Sequence, residues 1–293
     1  MHSTVIALSV LATLVFPMAS PRQDSLELAA VLDRAAQYVA LYEDRLGDVG
    51  AAESYRQVSV AWSDARVRTE QERRMESDFL IYRDGVDRIG LRIVRRVDGV
   101  PVQRGEATFE ALLDNSPEAI KKGIAALRQQ SAQYNIGPVI RTFNVPTFAL
   151  KVVRKEQLSS FVFVKRGVEK TNGVQVWDVT FKERKERRDP TLVQGNFKEY
   201  LFSEGSLWIE PATGRILKTE FLVENPYSKP KAKSRMVVTY TENKRIGLYL
   251  PGQMIERYET EDGFIEARAD YSNFVLFGVD ARSEIAAPNP QVQ

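Results

Sequence analysis

The sequence contains no cysteine, and its one histidine is His2. Thiol nucleophiles, disulfides and histidine bases are therefore missing from the rest of the chain. The same two residue types supply most zinc and transition-metal ligands, so the sequence predicts neither a metal site nor a cofactor. Carboxylates, lysines, tyrosines and hydroxyls remain as the groups able to do acid–base or covalent chemistry. An enzyme is for this reason the less favoured class, and no catalytic residue is predicted.

Net charge is also scarce. The 293 residues include 41 lysines and arginines against 39 acids, which leaves a formal charge of +2. A nucleic-acid-binding protein normally shows a clear basic excess, so no nucleic-acid partner is predicted. Hydrophobic residues make up 43% of the chain and charged residues 27%, the balance of a folded globular protein.

Long apolar runs are limited to the N-terminus. Residues 5–16 form an uncharged apolar stretch that suits the core of a signal peptide and is too short to span a bilayer comfortably. We expect residues 1–20 to be a cleaved signal peptide and the protein to be periplasmic or secreted. No cysteine follows this stretch to accept a lipid. Residues 21–285 are predicted to form a single domain, and residues 286–293 a disordered tail.

Helical periodicity occurs in few places. Apolar residues recur at helical spacing from Leu28 to Tyr42, and Gly47 suits the end of that helix. Ser116 and Pro117 are typical of the start of a second helix. The irregular apolar stretch 144–150 is expected to contain a short third helix.

Most of the remaining sequence has the alternation of strands joined by tight turns. Two-residue hairpin turns are indicated at four dipeptides: Asp84-Gly85, Asp98-Gly99, Asn172-Gly173 and Asp262-Gly263. Strands in hairpin order with few helices predict an antiparallel α+β fold. We expect a curled sheet of about nine to eleven strands, an incomplete barrel, with two or three helices packed on or across its concave face.

The C-terminal third resembles the outer-membrane lipoprotein-sorting proteins. The resemblance is carried by residues 208–218 (WIEPATGRILK), 237–240 (VVTY), 248–251 (LYLP) and 254–258 (MIERY). Three further elements resemble exported bacterial proteins with no assigned function: residues 134–137 (YNIG), 144–150 (NVPTFAL) and 271–274 (YSNF). These are turn and strand motifs, so they bear on fold more than on activity.

The resemblance implies an incomplete β-barrel closed by helices, with an apolar cup that holds acyl chains. This chain is longer than the lipoprotein carriers and adds an insertion at about residues 100–147. No cargo-binding residue can be carried over by position, because no residue-specific motif matches. The partner implied is an apolar ligand or a lipoprotein.

Apolar side chains of the predicted strands are the candidates for lining such a cup. Alternation places Trp177, Val179 and Phe181 on one strand face, and Leu217 and Phe221 on a face of a later strand. Trp208 lies on the opposite strand face from its neighbours Leu207 and Ile209. Ordinary core packing explains these six residues at least as well as ligand binding does.

One charged segment is a candidate for surface contacts. Residues 229–235 include Lys229, Lys231, Lys233 and Arg235 without an acid. Such a segment could touch anionic lipid headgroups, and a soluble basic loop is the plainer interpretation.

Three functional hypotheses stay open at this point. The leading one is a non-enzymatic periplasmic protein that shelters an acyl chain, lipid or lipoprotein in a half-barrel cup. The second is an envelope scaffold or protein-interaction module with a self-filled interior. The third is a carboxylate-dependent hydrolase, which would require two acids facing each other across a cleft.

Overall fold

The computed structural model describes residues 21–45, 48–63, 67–84, 87–102, 116–137, 141, 144–186, 192–194, 200–225 and 232–277. The predicted signal peptide, the C-terminal tail, Gly85, Lys229, Lys231 and much of the insertion lie outside these residues. The domain limits drawn from the sequence therefore stay predictions.

Helices are few within the described residues. The two α-helices are α1 (Pro21–Arg45) and α2 (Pro117–Ala132), and two 3₁₀ turns span Phe148–Val153 and Leu158–Ser160. Ser116 caps α2, as the sequence predicts, because its hydroxyl accepts a hydrogen bond from the Ala119 amide at 3.2 Å. Neither α-helix combines the length and hydropathy needed to cross a bilayer.

Thirteen strands account for most of the rest of the described chain. They are β1 (Asp48–Ser63), β2 (Val67–Asp84), β3 (Asp87–Val97), β4 (Val100–Pro101), β5 (Phe161–Thr171), β6 (Val174–Glu183), β7 (Val193–Gln194), β8 (Tyr200–Leu201), β9 (Ser203–Ile209), β10 (Ile216–Asn225), β11 (Ala232–Asn243), β12 (Leu248–Thr260) and β13 (Gly263–Phe277).

Eleven of these strands form one antiparallel sheet. Its order is β4-β3-β2-β1-β13-β12-β11-β10-β9-β6-β5, and β7 pairs with β8 separately. Among the described strands β4 and β5 are the two edges, so the sheet is open rather than a closed barrel. The predicted fold class, a curled antiparallel sheet with few helices, is confirmed. The predicted turns at Asn172-Gly173 and Asp98-Gly99 are also confirmed, because all four residues have the positive φ of a type I′ turn.

The register defines an inner face of the sheet by a row of paired residues that crosses eight strands. The row consists of Met75, Tyr55, Ala269, Met254, Val238, Thr219, Leu207 and Val179. All eight are at most 2% exposed. The inner face is therefore covered across these eight strands.

Two segments of the chain provide much of this cover. The first is α1, whose buried stripe includes Val31, Ala35 and Val39. The second is residues 144–153, called here the covering segment. It packs the Phe148 ring against the Phe221 ring at 5.3 Å between centroids, and its Pro146 carbonyl accepts a 2.7 Å hydrogen bond from the Tyr240 hydroxyl.

The helix α2 packs on the opposite, outer face. Its Ile124 and Leu127 form a separate apolar cluster with Leu91 of β3. Leu91 alternates along β3 with Arg92, whose partner in the register is the buried Phe79 of β2. The helix α2 and the covering segment therefore lie on opposite faces of the sheet, and both have residues beside β3.

Candidate functional site

Polar side chains occupy one end of the inner face. Glu53, Tyr55 and Gln57 alternate along β1 and all point inward, with exposed fractions of 3%, 1% and 0%. Burying a carboxyl, a phenol and an amide is costly unless each finds hydrogen-bond partners. Those partners come from β3, β12 and the chain that follows α2.

Glu256 of β12 is the centre of this polar group. It is fully buried, and its two carboxyl oxygens accept hydrogen bonds from the Tyr55 hydroxyl at 2.5 Å and from the Tyr258 hydroxyl at 2.8 Å. Burial, reinforced by the negative charge of Glu256, raises the pKa of both tyrosines above the ordinary value. The two phenols therefore remain protonated donors throughout the physiological range.

Two buried arginines flank this centre. Arg92 donates from Nε to both carboxylate oxygens of Glu53, at 2.8 and 3.0 Å, and its Nη2 donates to the Asn144 carbonyl at 3.2 Å. Arg141 donates from Nη1 to the Tyr55 hydroxyl oxygen at 2.6 Å and from Nη2 to the Ile136 carbonyl at 3.2 Å. Both guanidinium groups also lie near aromatic rings: Arg92 at 5.2 Å from the Tyr55 centroid, and Arg141 at 5.3 Å from that of Tyr258.

The chain after α2 is attached to the same group through Gln57. The Gln57 side chain accepts from the Ile136 amide at 3.3 Å and donates to the Tyr134 carbonyl at 3.3 Å. Gly137 follows with φ of +79°, and a Cβ there would lie 2.5 Å from the Ile265 side chain. The positive φ favours glycine here, and any side chain at this position would have to displace that of Ile265.

A cavity of about 300 Å³ opens beside this network, where the chain crosses the edge of β3. Its basic lining residues are Arg88, Arg92, Arg128, Arg141 and Lys151. Ile89, Val145 and Phe148 supply apolar walls. No carboxylate is among the described residues that line it. The cavity is at the small end of the range for ligand sites and suits one small ligand or one part of a larger one.

The apolar residues selected from the sequence lie elsewhere on the sheet. Val179, Phe181 and Phe221 share the inner face and are at most 2% exposed. The Phe181 and Phe221 rings approach to 6.1 Å across Gly205, which pairs with both residues. Leu217 is fully buried at a bulge in the pairing between β10 and β9. None of these four lines the cavity.

The two tryptophans are placed differently from each other. Trp177 is half-buried, with the Lys165 ammonium 3.5 Å from its ring centroid. Trp208 pairs with Lys218 and therefore lies on the outer face, where the Lys218 ammonium covers its ring at 4.0 Å. Its indole Nε1 donates to Glu169 at 3.0 Å.

The described part of the basic segment is a short stretch of β11. Lys233 is exposed, and Arg235 forms an ion pair with Glu220 of β10. A pair of this kind reduces the local positive charge that could meet a membrane surface.

The two acids beside this cavity do not form the site of a two-carboxylate hydrolase. Glu53 is engaged by Arg92, and Glu256 by two tyrosines. Neither acid lines the cavity, so no pair of carboxylates from the described residues faces a substrate there. Among the described residues no cluster of three or more acidic or histidine side chains could hold a metal ion.

The polar network and the cavity are the features that the sequence analysis missed. Glu53, Tyr55 and Gln57 form a polar stripe with period two, and such a stripe normally marks the solvent side of a strand. The signal available was weak. Arg141 and residues 134–137 follow α2 in the segment that the sequence analysis predicts to be an insertion, and such connecting segments often carry a site.

Solved structures provide similar folds at low identity. A DUF1329 family protein from Desulfovibrio piger is 13% identical, with 87% of this chain and 96% of that chain covered and a TM-score of 0.36. An outer membrane lipoprotein-sorting protein domain from Vibrio parahaemolyticus is 12% identical, with coverages of 87% and 98% and a TM-score of 0.33. A LolA superfamily protein from Nitrosomonas europaea is 11% identical, with coverages of 86% and 94% and a TM-score of 0.30.

Two of these three structures carry the name of a lipoprotein-sorting or LolA superfamily protein. No protein-family model matches the sequence, and no curated protein matches it. At TM-scores of 0.30–0.36 these similarities carry no inference, and the fold rests on the strand pairing itself.

Proposed function

We propose that this chain is a non-enzymatic binding protein of the cell envelope that shelters an amphiphilic ligand at the edge of its curled sheet. The observation that carries the proposal is the open cavity of about 300 Å³ lined by β3, α2, Arg141 and the covering segment. Its apolar walls lie beside polar and charged groups. Two of these groups, Arg92 and Arg141, are hydrogen-bonded to the buried polar network. Such a combination is typical of small-molecule sites.

The apolar walls determine what part of a ligand would be sheltered. Ile89 and Phe148 lie on different elements, and apolar surface buried between them gains about 25 cal/mol per Å². A cavity of this size takes a single chain segment rather than a whole lipoprotein. Binding would therefore be strong enough to hold a ligand and weak enough to release it to a larger apolar acceptor.

In this proposal the six side chains predicted from the sequence do not contact the ligand. Val179, Phe181 and Phe221 form the packed wall behind the covering segment, and the ligand contacts that segment rather than the wall. Trp177 and Trp208 lie near the β5 edge, away from the cavity.

The first experiment is native mass spectrometry of the chain purified from an envelope fraction without detergent, followed by solvent extraction of anything bound. We expect a stoichiometric amphiphile. An unchanged apo mass after incubation with lipids and lipopeptides would contradict the proposal.

A cavity-filling variant makes this experiment specific to the site. Ala132 lines the cavity and is exposed at the end of α2, so Ala132→Phe should fill the space without disturbing the core. Ala125→Phe is the matched control, because Ala125 is an exposed position of the same helix that does not line the cavity. Loss of the bound species in the first variant alone is the expected result.

A second candidate function is a protein-interaction module. It is favoured by the filled inner face and by Val162, Val164 and Val168 of β5, which are 43–49% exposed on an edge strand. An edge of this kind can pair with an extended segment of a partner. A photo-crosslinker at position 164 that captures one defined envelope protein, and fails to do so with Val162→Glu, would support this alternative.

A further inference from the structure

The charge of the cavity lining has one sign. Five basic side chains line it, and among the described residues no acid does. A cavity lined by one sign of charge and backed by a low-dielectric core concentrates the field and attracts counter-ions. The lining attracts an anion only if its positive charges are not already compensated by neighbouring acids.

Arg92 has such a neighbour among the described residues. Arg92 is bound to Glu53 through two hydrogen bonds. Arg88 donates to the backbone carbonyl of Glu43, whose carboxylate is paired with Arg154 at 2.8 Å. The negative charges near this end of the sheet are therefore directed toward Arg92 and Arg154.

Arg141 differs from Arg92. It is 9% exposed, and its described hydrogen-bond partners are all neutral: the Tyr55 hydroxyl, the Ile136 carbonyl and, at 3.4 Å, the Asn135 amide oxygen. Its Nε–H is buried and has no partner among the described residues. The carboxyl group of Glu256 reaches Arg141 only through the Tyr55 hydroxyl.

A buried guanidinium without a direct carboxylate is unfavourable, and an anion in the cavity would relieve that cost. Arg128 on α2 supplies a second positive group to the same space, and no ion pair involves it in the described part of the chain. Guanidinium groups bind carboxylates and phosphates through paired hydrogen bonds, more strongly than neutral donors bind.

We propose that the ligand carries an anionic oxyacid group, a phosphate or a carboxylate, and that this group binds in the cavity to Arg141 and Arg128. Arg88, Arg92 and Lys151 set the positive field around it. The inference rests on the proposed function, because it names the chemical class of the amphiphile that the same site would hold. The polar network then has a defined task, since Tyr55, Asn135 and Ile136 fix the orientation of the Arg141 side chain.

Isothermal titration with matched probes tests the proposal. The probes are dodecyl phosphate, dodecyl maltoside and dodecyltrimethylammonium, all below their micelle concentrations, together with inorganic phosphate. We expect dodecyl phosphate to bind at least about 10-fold more tightly than dodecyl maltoside, since hydrogen bonds to charged groups discriminate on this scale. Dodecyltrimethylammonium should not bind, and added salt should weaken the binding of dodecyl phosphate.

Variants separate the site from the rest of the surface. Arg128→Gln should weaken dodecyl phosphate about 3- to 10-fold, because Arg128 is exposed on a helix and its loss leaves the fold intact. Arg141→Gln should weaken the binding of dodecyl phosphate more than Arg128→Gln does. Circular dichroism checks the folding of this variant, because Arg141 also binds the Tyr55 hydroxyl. Arg268→Gln, an exposed arginine on β13, is the control and should change nothing.

The outcomes distinguish the two proposals. Equal binding of dodecyl phosphate and dodecyl maltoside, unchanged by Arg128→Gln, would overturn the anion site and leave the proposed function standing. Binding of inorganic phosphate with no gain from the dodecyl chain would support the anion site and overturn the sheltering of an amphiphile. No binding of any probe would overturn both.

Discussion

The Tyr55 hydroxyl donates to Glu256 at 2.5 Å, joining two strands whose residues are 201 positions apart in the chain. Tyr258 donates to the other oxygen of the same carboxyl group, and Arg141 binds back to the Tyr55 oxygen. The contact therefore links the inner face of the sheet to the chain that follows α2. It fixes the position of Arg141, which lines the cavity.

Removing the Glu256 carboxyl group, which accepts both tyrosine hydrogen bonds, should lower the stability of the fold markedly. Glu256→Ala leaves the two buried phenols without their acceptor, and we expect a loss of about 3–5 kcal/mol in the free energy of unfolding. Tyr258→Phe removes one donor and should cost about 1–2 kcal/mol. Urea denaturation measures both. Equal losses in the two variants would show that Glu256 does not organise the network.

The buried ion pair on the same face offers a comparison with an exposed one. Glu53→Gln leaves Arg92 buried without its countercharge, and we expect a loss of about 3 kcal/mol or more. Asp270→Asn breaks the Arg268 pair, which lies at 2.9 Å with both side chains about half exposed, and should cost less than about 1 kcal/mol. Urea midpoints that shift equally for the two variants would contradict the assigned role of burial.

The apolar wall should behave as core. Phe221 is fully buried between the rings of Phe148 and Phe181, so Phe221→Ala is expected to lower the free energy of unfolding by about 3–5 kcal/mol. Val164→Ala on the exposed β5 edge is the control and should stay within about 0.5 kcal/mol. A small loss at Phe221 combined with weaker binding of dodecyl maltoside would instead make Phe221 a ligand contact.

The fold could be read from the sequence more fully than the site. Turn dipeptides such as Asn172-Gly173 are local signals, because positive φ at two successive positions restricts the residues allowed. They fix the hairpins and hence the antiparallel sheet. Which face of a strand lies on the inner side of the sheet is not determined by the local sequence. Trp62, which belongs to an apolar alternation with Val58 and Val60, is 50% exposed, and polar Gln57 is fully buried.

The same reasoning explains why the cavity escaped prediction. The polar stripe of β1 is buried only because Arg92, Arg141 and Glu256 come to it from three distant parts of the chain. Pairings of this kind depend on tertiary contacts, and alternation within one strand carries no trace of them. Val179, Phe181 and Phe221, selected for their apolar character, lie buried on the inner face and do not line this cavity.

Alkaline titration should reveal the buried tyrosines together. Burial raises the pKa of Tyr38 to about 12 and raises the pKa of five more above the ordinary value of about 10: Tyr42, Tyr55, Tyr240, Tyr258 and Tyr271. Because the folded pKa exceeds the unfolded one, the native state retains its protons longer. The stability that they contribute is complete below about pH 10 and is lost as the pH rises through the folded values.

We therefore expect phenolate absorbance from these residues to rise in one step, coincident with loss of the sheet signal in circular dichroism above about pH 10. Tyr38→Phe should flatten the fall in stability between about pH 10 and about pH 12. Full phenolate formation near the ordinary tyrosine pKa, with the sheet signal intact, would contradict the assigned burial.

The docking of α1 on the sheet depends on one glycine in the turn between β9 and β10. A Cβ at Gly214 would lie 2.3 Å from the Arg34 carbonyl carbon and 2.6 Å from the Ala35 amide nitrogen, both backbone atoms of α1. Gly214 also has φ of +75°, and Arg34 donates from Nε to the Pro211 carbonyl of the same turn at 2.8 Å. The helix and the turn therefore approach as closely as glycine permits.

Gly173→Ala separates the two consequences of losing such a glycine. Gly173 has φ of +83°, and a Cβ added there would meet no atom within 4 Å, so alanine at this position meets backbone strain alone, about 1 kcal/mol. Gly214→Ala adds the collision with α1 and should cost at least about 2 kcal/mol more, because backbone atoms cannot move aside as a side chain can. Equal losses in thermal or urea unfolding would mean that α1 shifts freely on the sheet, and a helix so loosely held could not form a fixed cover for the inner face.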